Sequence, residues 1–495
     1  LWPAVSLATP PAIPVDRNVD VIVDDALYAS GQITDSIAQY LQDLQLQGYA
    51  PTLTTTAGFD AASLRTHLAD RYNTDGLAGA VFVGDVPYAQ YEIAAHGSWA
   101  AETFPIDLYF QDLDGAWADA DGDGHYDTHT GETAPEIWLG RMITSQLTNL
   151  GPGRTEASLI NDYFAKNHAY RRGTLSTSAE SLAYIDDDWA AVGTIWADNL
   201  QAGASGTVTL VSDGATTTAD DYEAHLANDA YEHVLLAAHA DPAHHVFRTG
   251  DGGTTYNYEL TGLSPEVLFY NLFACSNAKY TETGYMAGEY VFGAGDGLLS
   301  VGSAKTGGMQ RFRDYYRPLG QGAVFGDAWQ AWFDSIAISG FSALETDWHY
   351  GMTMTGDPLL ATLAYQEYLV WADFDGDGDA DADDIDHLTA HLGSADARYD
   401  VDGDGDCDAD DLKLLVAMLV EWESLATGDR GVGTRLGDFN LDGGVDLVDL
   451  ATIGDTYFGT GLGGWAEGDA NGDGAIDLID LAVLGDSYFA PPVAI

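Results

Sequence analysis

Residues 19–85 read VDVIVDDALYASGQITDSIAQYLQDLQLQGYAPTLTTTAGFDAASLRTHLADRYNTDGLAGAVFVGD. The runs at 19–28 and 78–83 are short, apolar and rich in β-branched residues, which predicts buried strands. Between them, Ile33, Ile37, Leu41 and Leu44 recur at spacings of three and four, the stripe of a core-facing helix. A second strand is expected from Tyr49 and a second helix over 61–72. This alternation predicts a parallel sheet with helices on both faces. It returns later, with strands expected at 181–186, 207–211, 232–238, 267–273 and 297–303 and helices at 188–200, 219–228 and 322–338. The expected fold class is α/β, built from two stretches, 17–150 and 151–365, preceded by an extended segment, 1–16. Whether the two stretches share one sheet is left open by the pattern.

The C-terminal quarter follows another rule. Four acidic loops carry oxygen ligands at places 1, 3, 5, 9 and 12. They are Asp373, Asp375, Asp377, Asp381 and Asp384; Asp400, Asp402, Asp404, Asp408 and Asp411; Asp438, Asn440, Asp442, Asp446 and Asp449; and Asp469, Asn471, Asp473, Asp477 and Asp480. Glycine stands at place 6 of each, where the chain must turn sharply. A hard cation with six to eight oxygen ligands asks for this spacing, so calcium is the expected cofactor. Each loop runs into an apolar helical pattern that a lone loop–helix unit leaves uncovered, so paired units are expected: 366–426 and 438–495, joined by a glycine-rich linker, 427–437. A fifth, irregular loop opens at Asp119, Asp121 and Asp123, with Thr130 at its twelfth place.

The 495 residues hold 78 acidic against 18 basic side chains, a formal charge of -60. No basic patch exists to meet phosphates, which argues against a nucleic-acid partner. A hydrophobic fraction of 46% is that of a folded protein. No apolar stretch is long enough to span a membrane. The opening LWPAVSLATPPAIPV has the look of a mature secreted chain, and the calcium loops likewise point to an extracellular or cell-surface location.

In open α/β sheets function gathers at the carboxyl ends of strands. Two expected strands end in reactive side chains: VLLAAH, closing on His239, and LFYNLFAC, closing on Cys275. If those strands are neighbours, an imidazole and a thiol share a rim, and a thiolate beside an imidazole is a competent nucleophile. His244 and His245 compete for the role of base, and His239, Asp241, His244 and His245 together form an alternative metal-binding cluster. A lone cysteine at a strand end is also a common small core residue.

The chain resembles the gingipain-like cysteine peptidases of the caspase-like fold class over about residues 17–365. The resemblance rests on an ordered set of stretches: AVFVGDVP at 80–87, IDLY at 106–109 with LDG at 113–115, PEIWLGR at 135–141, the strands of His239 and Cys275, and GMTMTGDPL at 351–359. It implies Cys275 as nucleophile, His239 as base and a peptide or protein substrate hydrolysed through a thioester. The family has glycine after the histidine, where this chain has Ala240. Asp107 is the expected residue to orient His239. The paired loops resemble dockerins, all-α EF-hand-like modules, which implies a cohesin-like or self-assembly partner. The competing reading is an inactive peptidase-like structural or adhesive protein that assembles through its calcium modules and N-terminal arm.

Overall fold

The computed structural model describes residues 17–175, 177–338, 340–366, 372, 374, 379–394, 396, 399–401, 406–424, 430–457 and 463–488. The expected extended segment, 1–16, lies outside them. The chain divides into two compact units, Leu1–Tyr368 and Leu369–Ile495.

In the first unit one sheet takes strands from both α/β stretches. Its strands are β1 (Arg17–Val23), β2 (Tyr49–Thr55), β3 (Gly79–Val83), β4 (Trp138–Met142), β5 (Ser181–Ile185), β6 (Val208–Val211), β7 (Tyr231–Ala237), β8 (Val267–Phe273), β9 (Leu299–Ser303) and β10 (Met352–Gly356). The order across the sheet is β6-β5-β7-β8-β9-β10-β4-β3-β1-β2. Every pair is parallel except β9 with β10, which run antiparallel. The strands β3, β4, β5, β7, β8, β9 and β10 are buried at every residue. Burial on both faces is why β3, β5, β7 and β8 read as largely apolar runs rather than alternating ones. This architecture is consistent with the caspase-like fold that the resemblance implies.

Two of the sequence stretches behind the resemblance meet where β4 and β10 lie side by side. A side chain at Gly140 would collide with Pro358, whose Cδ lies 2.4 Å from where a Cβ would sit. Asp357, fully buried, accepts hydrogen bonds from Tyr40 Oη at 2.9 Å, Asn167 Nδ2 at 2.8 Å, Arg171 Nη2 at 2.7 Å and the Leu359 amide at 2.9 Å. Removing one partner of a buried pair leaves the other charge uncompensated. Asp357→Asn is therefore expected to destabilise the first unit by about 3–5 kcal/mol, read as a lowered denaturant midpoint. An unchanged midpoint would show that Arg171 finds other compensation.

A small three-stranded antiparallel sheet, His239–Asp241, His244–Val246 and Thr254–Tyr256, stands beyond the end of β7. The sequence pattern does not announce it, because its strands are only three residues long.

In the second unit, helices Ala382–Thr389, Ala409–Met418, Leu447–Thr456 and Leu478–Tyr488 follow the four acidic loops. Ile385, Leu415, Ile453 and Leu484 share one core with Trp465. The two loop pairs thus form one body, not two modules on a linker. Trp465 is fully buried; its amide donates to Asp386 Oδ1 at 2.7 Å and its indole Nε1 to the Asp438 carbonyl at 2.9 Å, so it joins both pairs. The expected all-α character also gives way locally. Arg430–Val432, inside the stretch read as a linker, pairs antiparallel with Glu421–Glu423. Pairing satisfies backbone groups that a flexible linker would leave to water.

Candidate active site

The register of the sheet builds the site. β7 and β8 pair in parallel through Ala237 and Phe273. His239 and Cys275 each lie two residues further on, so the two chain segments deliver them to the same edge of the sheet. β5 flanks β7 on its other side, pairing Ile185 with Ala237, and the Asp186 amide still donates to the Ala237 carbonyl at 2.9 Å. The turn after β5 thereby reaches His239. His239 Nε2 lies 2.7 Å from Asp188 Oδ2, and the Trp189 ring centroid is 4.9 Å from that of His239. Trp189 also meets Phe273, the last residue of β8, at 5.6 Å.

Asp188 is the carboxylate that meets His239, and the sequence did not single it out. It stands in a run of three aspartates, Asp186–Asp188, in a chain where acidic residues are everywhere, and only the β5–β7 pairing marks it. The expectation for Asp107 is corrected: that carboxylate is buried and accepts from Arg141 Nε at 3.0 Å, Arg141 Nη2 at 2.6 Å and Tyr280 Oη at 2.9 Å. It balances a core guanidinium and does not orient His239. His245 is likewise removed from the competition for base. It is fully buried with Nε2 at 3.0 Å from Tyr290 Oη, and burial pushes its imidazole down to about 3. His244 Nδ1 lies 2.8 Å from Asp241 Oδ1. The alternative cluster is thus divided: His239 faces Asp188, His244 faces Asp241, and His245 turns into the core.

Cys275 is a free, partly exposed thiol. Burial pushes it up, while an amide hydrogen bond from Gly307 and the charge of Lys305 pull it down; Glu102 opposes them. The next residue, Ser276, has φ 58, a left-handed conformation that is costly without glycine. Its amide donates to the Lys305 carbonyl at 2.9 Å, and Asn277 Nδ2 donates to the Asp241 carbonyl at 2.7 Å. These bonds tie the Cys275 turn to the end of β9 and to the small sheet that His239 opens. Beside them lies a cavity of about 250 Å³ lined by His239, Ala240, Asp241, His244 and Val246.

The acidic loops fit a hard cation by their donor chemistry. In the fully described third loop, Asp438 Oδ1 accepts from the Asp442 amide at 3.1 Å and Oδ2 from the Gly443 amide at 3.0 Å. Asp449 receives the amides of Phe439 and Asp446, both at 2.8 Å. The fourth repeats this: Asp469 accepts from Gly474 at 2.7 Å, and Asp480 from Ala470 at 2.9 Å and Asp477 at 2.8 Å. Asn440 and Asn471 each offer Oδ1 to the aspartate two places on, Asp442 and Asp473. Burial pushes Asp438 up to about 6. Asp449 lies near enough to Asp438, and Asp480 to Asp469, to act on its charge, and buried carboxylates set together call for a compensating charge. In the first two loops, Asp384 and Asp411 accept in the same way from Asp381 at 2.8 Å and Asp408 at 2.6 Å. Asp400 is described with them, whereas Asp373, Asp375, Asp377, Asp402 and Asp404 lie outside the described residues.

The irregular fifth loop gains a group from elsewhere. Asp119 accepts from the Gly122 amide at 2.7 Å and the Gly124 amide at 2.9 Å, and its carboxylate gathers with those of Asp121 and Asp123. Glu92, distant in sequence, brings its carboxylate to Asp121 and Asp127. Sequence spacing could not show this, since the twelfth place of the loop holds Thr130.

No protein-family model and no curated protein matches the sequence. Solved structures share its fold. A structure of a protease matches with TM-score 0.50 at 13% identity, covering 72% of this chain and 80% of that one. The complex of the pro- and mature domains of Porphyromonas gingivalis RgpB matches with TM-score 0.52 at 12% identity, covering 70% of this chain and 80% of that one. At this identity the likeness is one of fold, and it extends over most of the peptidase chains compared.

Proposed function

We propose that this chain is a secreted cysteine endopeptidase, with Cys275 as nucleophile and His239 as general base, braced by calcium. The observation that carries the reading is the shared register: parallel β7 and β8 pair at Ala237 and Phe273, and the imidazole and thiol leave the sheet two residues later on each. The peptidase-like fold supports it.

In this mechanism Asp188 holds His239 through Nε2, which leaves Nδ1 to take the thiol proton. The thiolate attacks the scissile carbonyl carbon and forms a tetrahedral oxyanion. The Ser276 amide is engaged by Lys305, so the Cys275 amide is the better placed oxyanion donor. The imidazolium returns its proton to the departing amine, and a thioester remains on Cys275. Water, deprotonated by His239, then attacks the thioester; the acid product leaves and the thiol is restored.

Labelling with a peptidyl chloromethyl ketone tests the assignment. One adduct is expected on the peptide that contains Cys275; an adduct elsewhere, or none, counts against the site. His239→Ala is expected to lower kcat/KM by about 10²–10⁴-fold. Asp188→Asn is expected to lower it by less, since the ring remains and only its orientation suffers. An Asp188→Asn enzyme of full activity would remove Asp188 from the mechanism.

A further inference from the structure

We propose that Lys305 is a positioning residue for the Cys275 thiol: it holds the turn that lies beside the thiol and sets a buried positive charge at the neighbouring strand end. The inference rests on reading Cys275 as the nucleophile.

The sheet supplies the first argument. β8 and β9 pair in parallel at Phe269 with Leu299 and Asn271 with Val301. The same offset carries Cys275 to Lys305, and Lys305 lies two residues beyond the end of β9, just as Cys275 lies two beyond β8. Past the sheet the two segments stay joined, because the Ser276 amide donates to the Lys305 carbonyl at 2.9 Å and the Ala278 amide to the Ser303 carbonyl at 3.0 Å. The turns after β7, β8 and β9 thus bring an imidazole, a thiol and an ammonium to one rim.

The second argument is the lysine's setting. Its side chain is 2% exposed, and lysine is almost never buried unless paired. Nζ donates to the Asp347 carbonyl at 2.5 Å and to the Thr306 carbonyl, and lies 3.7 Å from Glu102 Oε2. It also stands over the rings of Trp99 at 5.0 Å and Phe104 at 5.6 Å, where the quadrupoles favour a cation. Glu102 Oε1 in turn accepts from the Thr306 amide at 3.2 Å and hydroxyl at 2.8 Å. The ammonium thereby clamps the 305–307 turn between the strand Glu102–Pro105 and the helix Ala343–His349.

The third argument is Gly307. Its φ is +147, and a Cβ there would sit 2.6 Å from the Trp348 carbonyl oxygen. Only glycine fits this backbone so close to the Trp348 carbonyl, so the turn that Lys305 clamps has one sequence solution at its last place. The charges that act on the thiol are Lys305, from the neighbouring strand end, and Glu102, from the hairpin of Gln90–Ile93 and Glu102–Pro105; Lys305 itself faces Glu102, Asp347, which lies 2.9 Å from His96, and His349, with Asp347 and His349 on the helix Ala343–His349. Lys305 and the Gly307 amide favour the thiolate; burial and Glu102 disfavour it.

The test is the rate of iodoacetamide alkylation against pH on the full chain, followed by mass on the peptide bearing Cys275 so that Cys407 does not contribute. Lys305→Met is expected to raise the midpoint by about one pH unit, about a tenfold slower reaction at pH 7. Lys305→Arg keeps the charge and is expected to hold the midpoint near that of the unaltered chain. Glu102→Gln removes the opposing charge and should move the midpoint down. A midpoint unmoved in Lys305→Met, or moved as far in Lys305→Arg, overturns the proposal. If Lys305→Met does not fold, Glu102→Gln decides alone, and no downward shift overturns it. Alkylation needs no peptide hydrolysis, so a shifted midpoint in a chain without peptidase activity would sink the enzymatic reading and leave the role of Lys305 standing.

Discussion

Cys275→Ala is expected to abolish peptide hydrolysis, lowering kcat/KM by at least about three orders of magnitude while leaving the fold intact. The size follows from the role: without a nucleophile no thioester forms, and what remains is catalysis by binding and the oxyanion donor, about 10³–10⁴ over water in serine peptidases stripped of their triad. Folding should survive, because Cys275 lies on a turn beyond the sheet and is only half-buried. The measurement is hydrolysis of a mixed peptide library with calcium present, alongside a thermal melt of both proteins. Equal activity in Cys275→Ala would end the cysteine-peptidase reading. Inactivity of the unaltered chain on every peptide, with Cys275 unreactive to alkylation, would return the fold to the scaffold role.

Calcium removal is expected to unfold the second unit and spare the first. A ligand that binds only the folded state adds about 4 kcal/mol per site at a free concentration a thousand times its Kd. Four such sites together exceed the about 5–15 kcal/mol by which a typical domain is stable. Stripping the ions also leaves buried carboxylates facing one another: Asp438, Asp449 and Asp480 are fully buried and Asp469 is nearly so. The core they surround is small, centred on Trp465. Hydrogen exchange after chelation should lose protection in Ala409–Met418, Leu447–Thr456 and Leu478–Tyr488, and keep it in β7 and β8. Protection unchanged by chelator in those three helices would mean that the acidic loops hold no structural cation.

Much of the first unit was legible because its strands announce themselves. Strands fully covered on both faces have no polar side to show, and the expected 181–186, 232–238 and 267–273 fall on β5, β7 and β8 within a residue at either end. β4 and β10 were not read as strands. They are five residues each and hold Gly140, Arg141 and Gly356, which break the apolar pattern. Arg141 belongs there because Asp107 and the Tyr280 ring, 4.5 Å away, receive its charge. Residues that are polar because of a distant partner carry no local signal.

The same division holds for the site. From sequence alone came the reactive thiol and imidazole at strand ends and the metal-loop spacing, because period and spacing along the chain encode strand burial and ligand geometry directly. Tertiary structure alone decided which strands are neighbours, and with them that Asp188 meets His239, that Lys305 comes to the strand end next to that of Cys275 with Glu102 bound to its turn, and that Glu92 joins the loop at Asp119. Those pairings are set by sheet order, a property of how distant segments pack, and a parallel sheet separates adjacent strands by whole crossovers whose length says nothing about their neighbours.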